Sequence, residues 1–259
     1  MKHQLEVGAR SVTDALSAWN GGADRVELYA SPTEGALTPS AGLVRQMMKV
    51  KKASGIGLGI FAMIRPRSGD ALYTDEEFNV MLEDCEILHD AGADGFMAGI
   101  VTADGDLDVK RMKLLMSRIP GRRFTLHRAF ESLKDQSRGL EQAVDLGIEF
   151  ILTGIDQFSD RDIDRIRKLH KQADGRIKIM VALGASFNSA TLSSLLMDDM
   201  PSDFHIVNGY RRRKSQMRYI PGLDHGDDDH LMKKLDTVEY LEEAAVREIR
   251  DIMDKYETE

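Results

Sequence analysis

The stretch NGGADRVELY at 20–29 decides the fold, because the same arrangement returns as AGADGFMAGI at 91–100 and as LGIEFILTGI at 146–155. In each case a glycine is followed by a short apolar run. Glycine suits the left-handed residue that ends a helix, and a short apolar run suits a strand that is buried on both faces of a parallel sheet. A recurring unit of helix, glycine and strand predicts an α/β barrel.

Eight strand-then-helix pairs can be placed along 1–259 and no linker divides them, so the sequence predicts a single domain with the TIM (β/α)8 barrel fold. The predicted strands cover 4–7, 25–28, 57–64, 95–100, 123–126, 149–152, 178–182 and 203–207. The predicted helices cover 12–19, 41–53, 75–91, 109–118, 139–146, a segment after Ser159, a segment after Asn188, and 238–256. A long irregular loop, 208–236, is expected between strand 8 and helix 8.

The composition is acidic and poor in cysteine. A net charge of −8 argues against a nucleic-acid-binding protein, whose surface is basic. The single cysteine, Cys85, permits no disulfide within the chain and favours a reducing compartment. No apolar stretch approaches the roughly 20 residues that a membrane helix needs. We therefore expect a cytoplasmic protein with no nucleic-acid or membrane partner, and a homo-oligomer (a dimer or tetramer).

Polar residues stand at the carboxyl ends of the predicted strands, where a TIM barrel carries its active site. The candidate residues are Glu6, Glu27, Arg65, His127, Arg128, Thr153, Gly184, His205 and Asn208. Burying such groups is costly unless they pair. Two interpretations stay open, namely a layer of ion pairs that plugs the barrel mouth and a binding site. We favour a binding site, because barrel layers are usually apolar.

His127 and Arg128 form the pair with the most specific chemistry. A histidine titrates near neutral pH and can act as acid, base or ligand, and the adjacent cation would keep it neutral. A hydrogen bond to a neighbouring strand is the structural alternative. The turn that begins at Gly184 opens a helix and offers backbone N–H groups to an anion, although such turns are common.

Three other features are more typical of ordinary structure. His225 and His230 flank three aspartates, which suits a solvated acidic loop, although such a cluster can bind a cation. The run Arg211–Lys214 suits solvent, or a clamp for an acidic partner. The 14 methionines are scattered, as core fillers are, and Cys85 is expected as a buried thiol inside helix 3.

Several segments of the chain resemble one known family. They are LEV (5–7), NGGADRVEL (20–28), EGALTPS (34–40), MIRPRSGD (63–70), YTDEEF (73–78), FTLHRAF (124–130), FHI (204–206) and MRY (217–219). In this order they are similar to the CutC family, which is named for copper homeostasis. The resemblance implies a TIM barrel, a role in copper homeostasis and binding of copper(I), with no other cofactor implied.

The copper ligands that the resemblance implies do not carry over to this chain. In family members credited with Cu(I) binding, cysteines follow strands 1 and 2, and the matching positions are Gly8 and Tyr29. Cu(I) prefers soft sulfur ligands. His127 and His205 are therefore the remaining, weak candidates for metal ligands.

An enzyme is the alternative that the strand ends favour. An acid pair, a histidine and arginines suit lyase-like or isomerase-like proton transfer on a small anionic metabolite. In that hypothesis Arg65 and Arg128 bind the anion. Glu27 or His127 moves the proton, and Glu6 orients a partner.

Overall fold

Eight parallel strands, hydrogen-bonded in chain order, close into a barrel, as the sequence predicts for a TIM barrel. The structure is a computed structural model that describes residues 3–155, 159–183, 192–193, 195–196, 203–207, 209–216 and 237–256. The barrel strands are β1 (Gln4–Ala9), β2 (Arg25–Leu28), β3 (Gly59–Met63), β4 (Gly95–Ala98), β5 (Arg123–Leu126), β6 (Phe150–Ile155), β7 (Lys178–Leu183) and β8 (Asp203–Ile206). Pairing of β8 with β1 closes the barrel.

Helices connect the strands and cover the outside of the barrel. Their bounds are α1 (Val12–Asn20), α2 (Ala41–Ser54), α3 (Asp75–Asp90), α4 (Val109–Ser117), α5 (Gln136–Asp145), α6 (Asp160–Ala173) and α7 (Glu243–Asp254). Short 3-10 turns, Pro32–Glu34 and Arg128–Ser132, follow β2 and β5. Side-chain caps start α1 to α6, and Thr74 with Glu77 forms a complete capping box at α3. Within the described part of the chain, no helix has both the length and the apolar character that crossing a bilayer requires.

The glycines of the recurring unit have the conformation that the sequence predicts. Gly22, Gly92 and Gly147 follow the ends of α1, α3 and α5, with φ angles of +96°, +103° and +74°. Residues with a Cβ rarely adopt this left-handed conformation. These three positions therefore let the chain leave each helix and enter the next strand directly.

Within the barrel most predicted boundaries lie close to the observed ones, and two differ by three residues. Helix α5 begins at Gln136 instead of Gly139, because the Asp135 side chain caps it. Strand β6 continues to Ile155, so that Thr153 lies inside the strand and not at its end. Side chains alternate between the two faces of a strand. Phe150 and Leu152 face the barrel interior, so Thr153, now inside the strand, is expected to face the helices.

Apolar side chains form two separate layers. The larger layer lies between the strands and the helices. The smaller one lies inside the barrel and consists of Tyr29, Phe61, Met63, Met97, Phe150, Leu152, Met180 and Ala182. Four buried polar side chains from β1, β2 and β8 share the barrel interior, namely Glu6, Arg25, Glu27 and His205.

The chain after the barrel differs from its prediction. Tyr210–Lys214 (β9) and Thr237–Leu241 (β10) pair as an antiparallel ribbon, so that the basic run predicted to be solvated loop is a strand. The last helix begins at Glu243, and its predicted start at 238 is wrong. Alternating apolar and polar residues in β10 suit a strand, and an ion pair of 2.9 Å between Arg212 and Glu239 joins the two strands.

Some predictions fall outside the described residues. They concern the helix after Asn188, the candidate site residues Gly184 and Asn208, and the segment 217–236 with His225 and His230. These stay predictions.

Candidate active site

A cavity of about 770 Å³ opens at the carboxyl ends of the barrel strands. Its walls include Glu27, Arg65, His127, Arg128 and His205, which the sequence analysis selected. A plug of ion pairs therefore does not fill the mouth, and the volume lies within the range of small-molecule sites.

Two further candidates lie away from the cavity wall. Glu6 is fully buried in the barrel interior. Thr153 also is fully buried, but its Oγ1 accepts a hydrogen bond of 2.7 Å from Arg165 Nη1. Because Arg165 belongs to α6, Thr153 faces the helix layer. Its expected place at the barrel mouth is therefore wrong, as the length of β6 explains.

The barrel register assembles four charged side chains, which we call the interior charge network: Arg25, Glu6, His205 and Glu27. Glu6 on β1 stands beside Arg25 on β2 and beside His205 on β8. Arg25 Nε lies 2.5 Å from Glu6 Oε2, and His205 Nδ1 lies 2.8 Å from Glu6 Oε1. On the other side of the ring, His205 Nε2 lies 3.5 Å from Glu27 Oε2. The imidazole therefore stands between two carboxylates.

The pKa values of Glu6 and His205 move in opposite directions. Burial by itself raises the pKa of Glu6, but the charge of Arg25 and the hydrogen bond with His205 outweigh burial and lower it. Burial by itself lowers the pKa of His205, but the hydrogen bond and charge of Glu6 and the charge of Glu27 outweigh burial and raise it. Glu6 is thus a carboxylate that favours an imidazolium at His205.

Glu27 differs from Glu6 in its partners. Its Oε1 is buried and has no hydrogen-bond partner among the described residues. The pKa of Glu27 is raised to about 7, because burial and the charge of Glu6 raise it more than the charges of His205 and Arg25 lower it. A carboxyl group that titrates near neutral pH can both take up and release a proton under physiological conditions.

His127 is a neutral hydrogen-bond donor at the cavity. Its Nδ1 accepts the Ala129 N–H at 3.1 Å, so the proton of the neutral ring belongs on Nε2. Nε2 is buried without a partner in the described part of the chain. Burial, and then the charge of Arg65, lower the pKa of His127 to about 4. The cation that helps to keep His127 neutral is thus Arg65, and not the adjacent Arg128 that the sequence suggested.

The two arginines of the cavity wall have different partners. Arg128 donates two hydrogen bonds of 2.8 Å to the carboxylate of Glu131, which matches its charge. Arg65 donates to two backbone carbonyls, that of Gly35 and, at 2.5 Å, that of Gly69. No described carboxylate forms an ion pair with Arg65. Arg65 therefore keeps a net positive charge at the cavity, and it is the better candidate for binding an anion.

The β9–β10 ribbon supplies one wall of the cavity through Tyr210 and Glu239. Arg10, which follows β1, joins this ribbon to the barrel. Its guanidinium lies 3.6 Å from the centre of the Tyr210 ring and 2.7 Å from Glu239 Oε2. Tyr210 Oη also donates a hydrogen bond of 2.9 Å to the Gly8 carbonyl.

Sequence reasoning missed Arg25. It lies in the barrel between the rings of Phe61 and Phe150, with its Cζ 4.2 Å and 4.0 Å from their centres. Arg25 stands two positions before Glu27 in the same strand, and this spacing puts both side chains on one face. That alternation was the signal that could have placed it in the barrel.

The donor atoms of the site do not suit Cu(I). Among the described residues, one group of three acidic or histidine side chains brings its ligand atoms within 4.8 Å of one another, and it consists of Glu6, Glu27 and His205. Oxygen and imidazole ligands are harder than the sulfur that Cu(I) prefers. The guanidinium of Arg25 beside Glu6 also opposes a cation. Cys85 is fully buried in α3, and burial raises the pKa of its thiol to about 12.

Gly8 and Tyr29 occupy the positions where the family resemblance implies copper-binding cysteines. A Cβ on Gly8 would lie 2.8 Å from Tyr29 Cε1 and 3.0 Å from Val207 Cγ1. The absence of a side chain at Gly8 thus makes room for the Tyr29 ring, which is almost fully buried. The two residues form a packed pair in place of the implied thiols.

Comparison with known proteins decides the family. The sequence model of the CutC family matches residues 3–205. The chain belongs to the CutC family. A CutC-family protein of Bacteroides thetaiotaomicron is 37% identical over 222 residues, which cover 84% of this chain and 85% of the relative. A CutC-family protein of Vibrio cholerae is 36% identical over 223 residues, with 85% of each chain covered.

A solved structure agrees with this assignment. CutC from Streptococcus agalactiae, whose name gives it a provisional role in copper homeostasis, superposes with a TM-score of 0.71 at 26% identity. The superposition covers 80% of this chain and 99% of that one. The match to the family's sequence model ends at His205, so that model includes neither the ribbon nor α7.

Proposed function

We propose that this CutC-family protein is an enzyme that moves a proton within a small carbonyl compound bearing an anionic group. One observation carries the proposal: Glu27, a buried carboxyl whose pKa is raised to about 7, and the neutral His127 both line a cavity that also presents the unmatched charge of Arg65. A base that titrates near neutral pH and a fixed hydrogen-bond donor suit enolisation, and the cation suits binding of a substrate with an anionic group.

Each residue has a distinct role. Glu27 removes a proton from the carbon next to the carbonyl, so that the C–H bond breaks and its electron pair forms an enolate. His127 donates a hydrogen bond from Nε2 to the oxygen on which negative charge develops. Arg65 holds the anionic group, which fixes the substrate between the other two residues. If the carbon that loses the proton bears a hydroxyl, transfer of the hydroxyl proton to the former carbonyl oxygen and return of the first proton to the former carbonyl carbon give an isomerase. If the next carbon bears a leaving group, its departure with the C–O or C–X electron pair gives a lyase.

A neutral histidine suits this role better than an imidazolium. The pKa of about 4 belongs to the imidazolium, so the ring of His127 is neutral near pH 7. The N–H of a neutral imidazole is a far weaker acid than that of an imidazolium, so it can stabilise an enolate by a hydrogen bond without losing its proton, as a neutral imidazole does in triosephosphate isomerase. The tautomer follows from the Ala129 N–H, which occupies Nδ1 of His127. The same backbone contact aligns the ring.

The test is exchange of carbon-bound hydrogen with solvent. Pyruvate, hydroxypyruvate and dihydroxyacetone phosphate are incubated with the protein in D₂O, and deuterium incorporation is followed by NMR. We expect exchange in at least one of them, with Glu27→Gln lowering its rate by about a hundredfold or more. Glu239→Gln removes another carboxylate of the cavity wall and is the matched control, with a rate near that of the wild type. Exchange that persists in Glu27→Gln, or no exchange in all three compounds, would contradict the proposal.

Copper homeostasis is the second candidate, and the name of the Streptococcus agalactiae relative supports it. It is tested by anaerobic titration with Cu(I) against a competing chelator, with His127→Ala and Cys85→Ser beside the wild type. The imidazole and carboxylate donors lead us to expect no competitive binding. Tight stoichiometric binding that His127→Ala abolishes would favour the copper role over proton transfer.

A cytoplasmic location belongs to the same proposal. The single cysteine, Cys85, which is buried and free, supports it. Localisation of a fluorescent fusion by microscopy tests it.

A further inference from the structure

We infer that His205 is the proton partner of Glu27, that one proton is shared between His205 Nε2 and Glu27 Oε2, and that Glu6 is the positioning residue that fixes the imidazole. The inference rests on the proposed function, which it deepens by explaining how Glu27 obtains and disposes of its proton. Transfer breaks the N–H bond at Nε2 and forms the O–H bond at Oε2, with no other atom gained or lost. Glu27 is a base in one form and an acid in the other.

The geometry of the imidazole ring carries the first part of the argument. Glu6 Oε1 lies 2.8 Å from His205 Nδ1 and so fixes the ring plane from one side. This contact directs Nε2 toward Glu27 Oε2, at 3.5 Å. That distance is longer than a hydrogen bond, and it closes with a small movement of the Glu27 side chain. The two groups are therefore adjacent without being locked together.

Charge balance carries the second part. Arg25 lies between two aromatic rings and contacts Thr125 Oγ1 at 3.3 Å, so its position is fixed. Its charge matches that of Glu6, with which it forms an ion pair of 2.5 Å. The remaining pair, His205 and Glu27, is neutral overall both as imidazolium with carboxylate and as imidazole with carboxylic acid. Moving the proton thus leaves the net charge of a buried site unchanged, which avoids the cost of an unpaired buried charge.

More distant groups act on Glu6, Arg25 and Glu27, the other three members of the interior charge network. The titratable or charged side chains that act on these three are Tyr29, Arg123, Glu149 and Asp203, and Lys178 in turn acts on Glu149 and Asp203. The charges that dominate the proton affinity of His205 are those of Glu6, Glu27 and Arg25.

The experiment measures the protonation of His205 directly. Protein labelled with ¹⁵N-histidine is titrated by NMR, and the His205 signals are assigned with His205→Asn. In the wild type we expect two titration steps, separated by a plateau at which the Nε2 shift lies between the imidazole and imidazolium values. Glu27→Gln removes the second site for the proton, so His205 should then titrate in one full step. Glu239→Gln is the matched control and should keep the plateau.

The role of Glu6 needs its own variants. We expect Glu6→Gln to leave His205 neutral over the range in which the wild type shows the plateau, because Arg25 then lacks its counter-charge. Since that loss can unfold the barrel, Glu6→Asp is the second variant. This variant keeps the negative charge, but its shorter side chain moves the carboxylate oxygen away from His205 Nδ1. It should therefore reduce or abolish the plateau. A plateau unchanged in Glu6→Asp overturns the positioning role.

The outcomes separate this inference from the proposed function. A single full titration step of His205 in the wild type overturns proton sharing, whatever the exchange assay gives. If instead the plateau is found but no carbonyl compound exchanges deuterium, the proposed function fails while proton sharing stands. Exchange that needs Glu27, together with a single-step His205, supports the function and rejects the sharing.

Discussion

Glu27 makes the stability of this protein depend on pH in a direction opposite to that of an ordinary surface carboxylate. Its pKa is about 7 in the folded protein, against a usual value of 4.5. Below the lower value both the folded and the unfolded chain carry the proton. Between the two values the unfolded chain releases the proton while the folded chain keeps it, so stability falls as pH rises. At about 1.4 kcal/mol per pKa unit, the fall amounts to about 3 kcal/mol.

The perturbation is Glu27→Gln, which cannot ionise. As pH rises from about 4.5 to about 7.5, the wild type should lose about 3 kcal/mol of unfolding free energy relative to the variant. The raised pKa of His205 acts in the same direction, because its contribution is lost as pH rises through the folded-state value. Glu6, whose pKa is lowered, loses its contribution only as pH falls.

Urea unfolding followed by the fluorescence of Trp19, the only tryptophan, measures the difference at each pH. Glu239→Gln is the control. The pKa of Glu239 is lowered, so that removing this carboxylate should give an offset that stays constant above about pH 5. A Glu27→Gln difference that does not change with pH would refute the reasoning, since it would mean that Glu27 ionises equally easily in both states.

Three further predictions follow from packing. Gly8→Cys should lower the free energy of unfolding in urea by about 1–3 kcal/mol, because its Cβ would lie 2.8 Å from the Tyr29 ring. Adding Tyr29→Cys should relieve this clash and supply two thiols, so that the double variant binds Cu(I) in a chelator competition. Gly99→Ala should displace the His127 ring, whose Nδ1 would lie 2.7 Å from the new Cβ, and so change the ¹⁵N shifts of that histidine. Cys85 should react with a thiol reagent only after unfolding, since it is fully buried with a raised pKa.

The barrel could be predicted from the sequence because its determinants are local. A glycine that ends a helix and an apolar run that follows it are neighbours in the chain, and Gly22 and Gly92 have the backbone conformation that this pattern requires. The ribbon was missed because its stability comes from pairing between β9 and β10, which are separated by more than 20 residues. The sequence around 238–241 alone does not reveal that partner.

The site could be predicted only in part. Glu27 and His127 were found because a strand end is visible in the sequence, whereas the Thr153 assignment was wrong because it depended on the exact length of β6. Arg128 has its charge matched and Arg65 does not, and this difference depends on Glu131 and on two loop carbonyls. These partners come together only when the loops fold, and no spacing in the sequence indicates them.

The ribbon has a consequence for how this protein can diverge from its relatives. It lies beyond the residues that the family's sequence model matches, yet Tyr210 and Glu239 from it help to shape the entrance to the barrel. The interior charge network, by contrast, is encoded entirely by β1, β2 and β8. Substitutions in the ribbon can thus reshape the entrance while the interior keeps its charge balance.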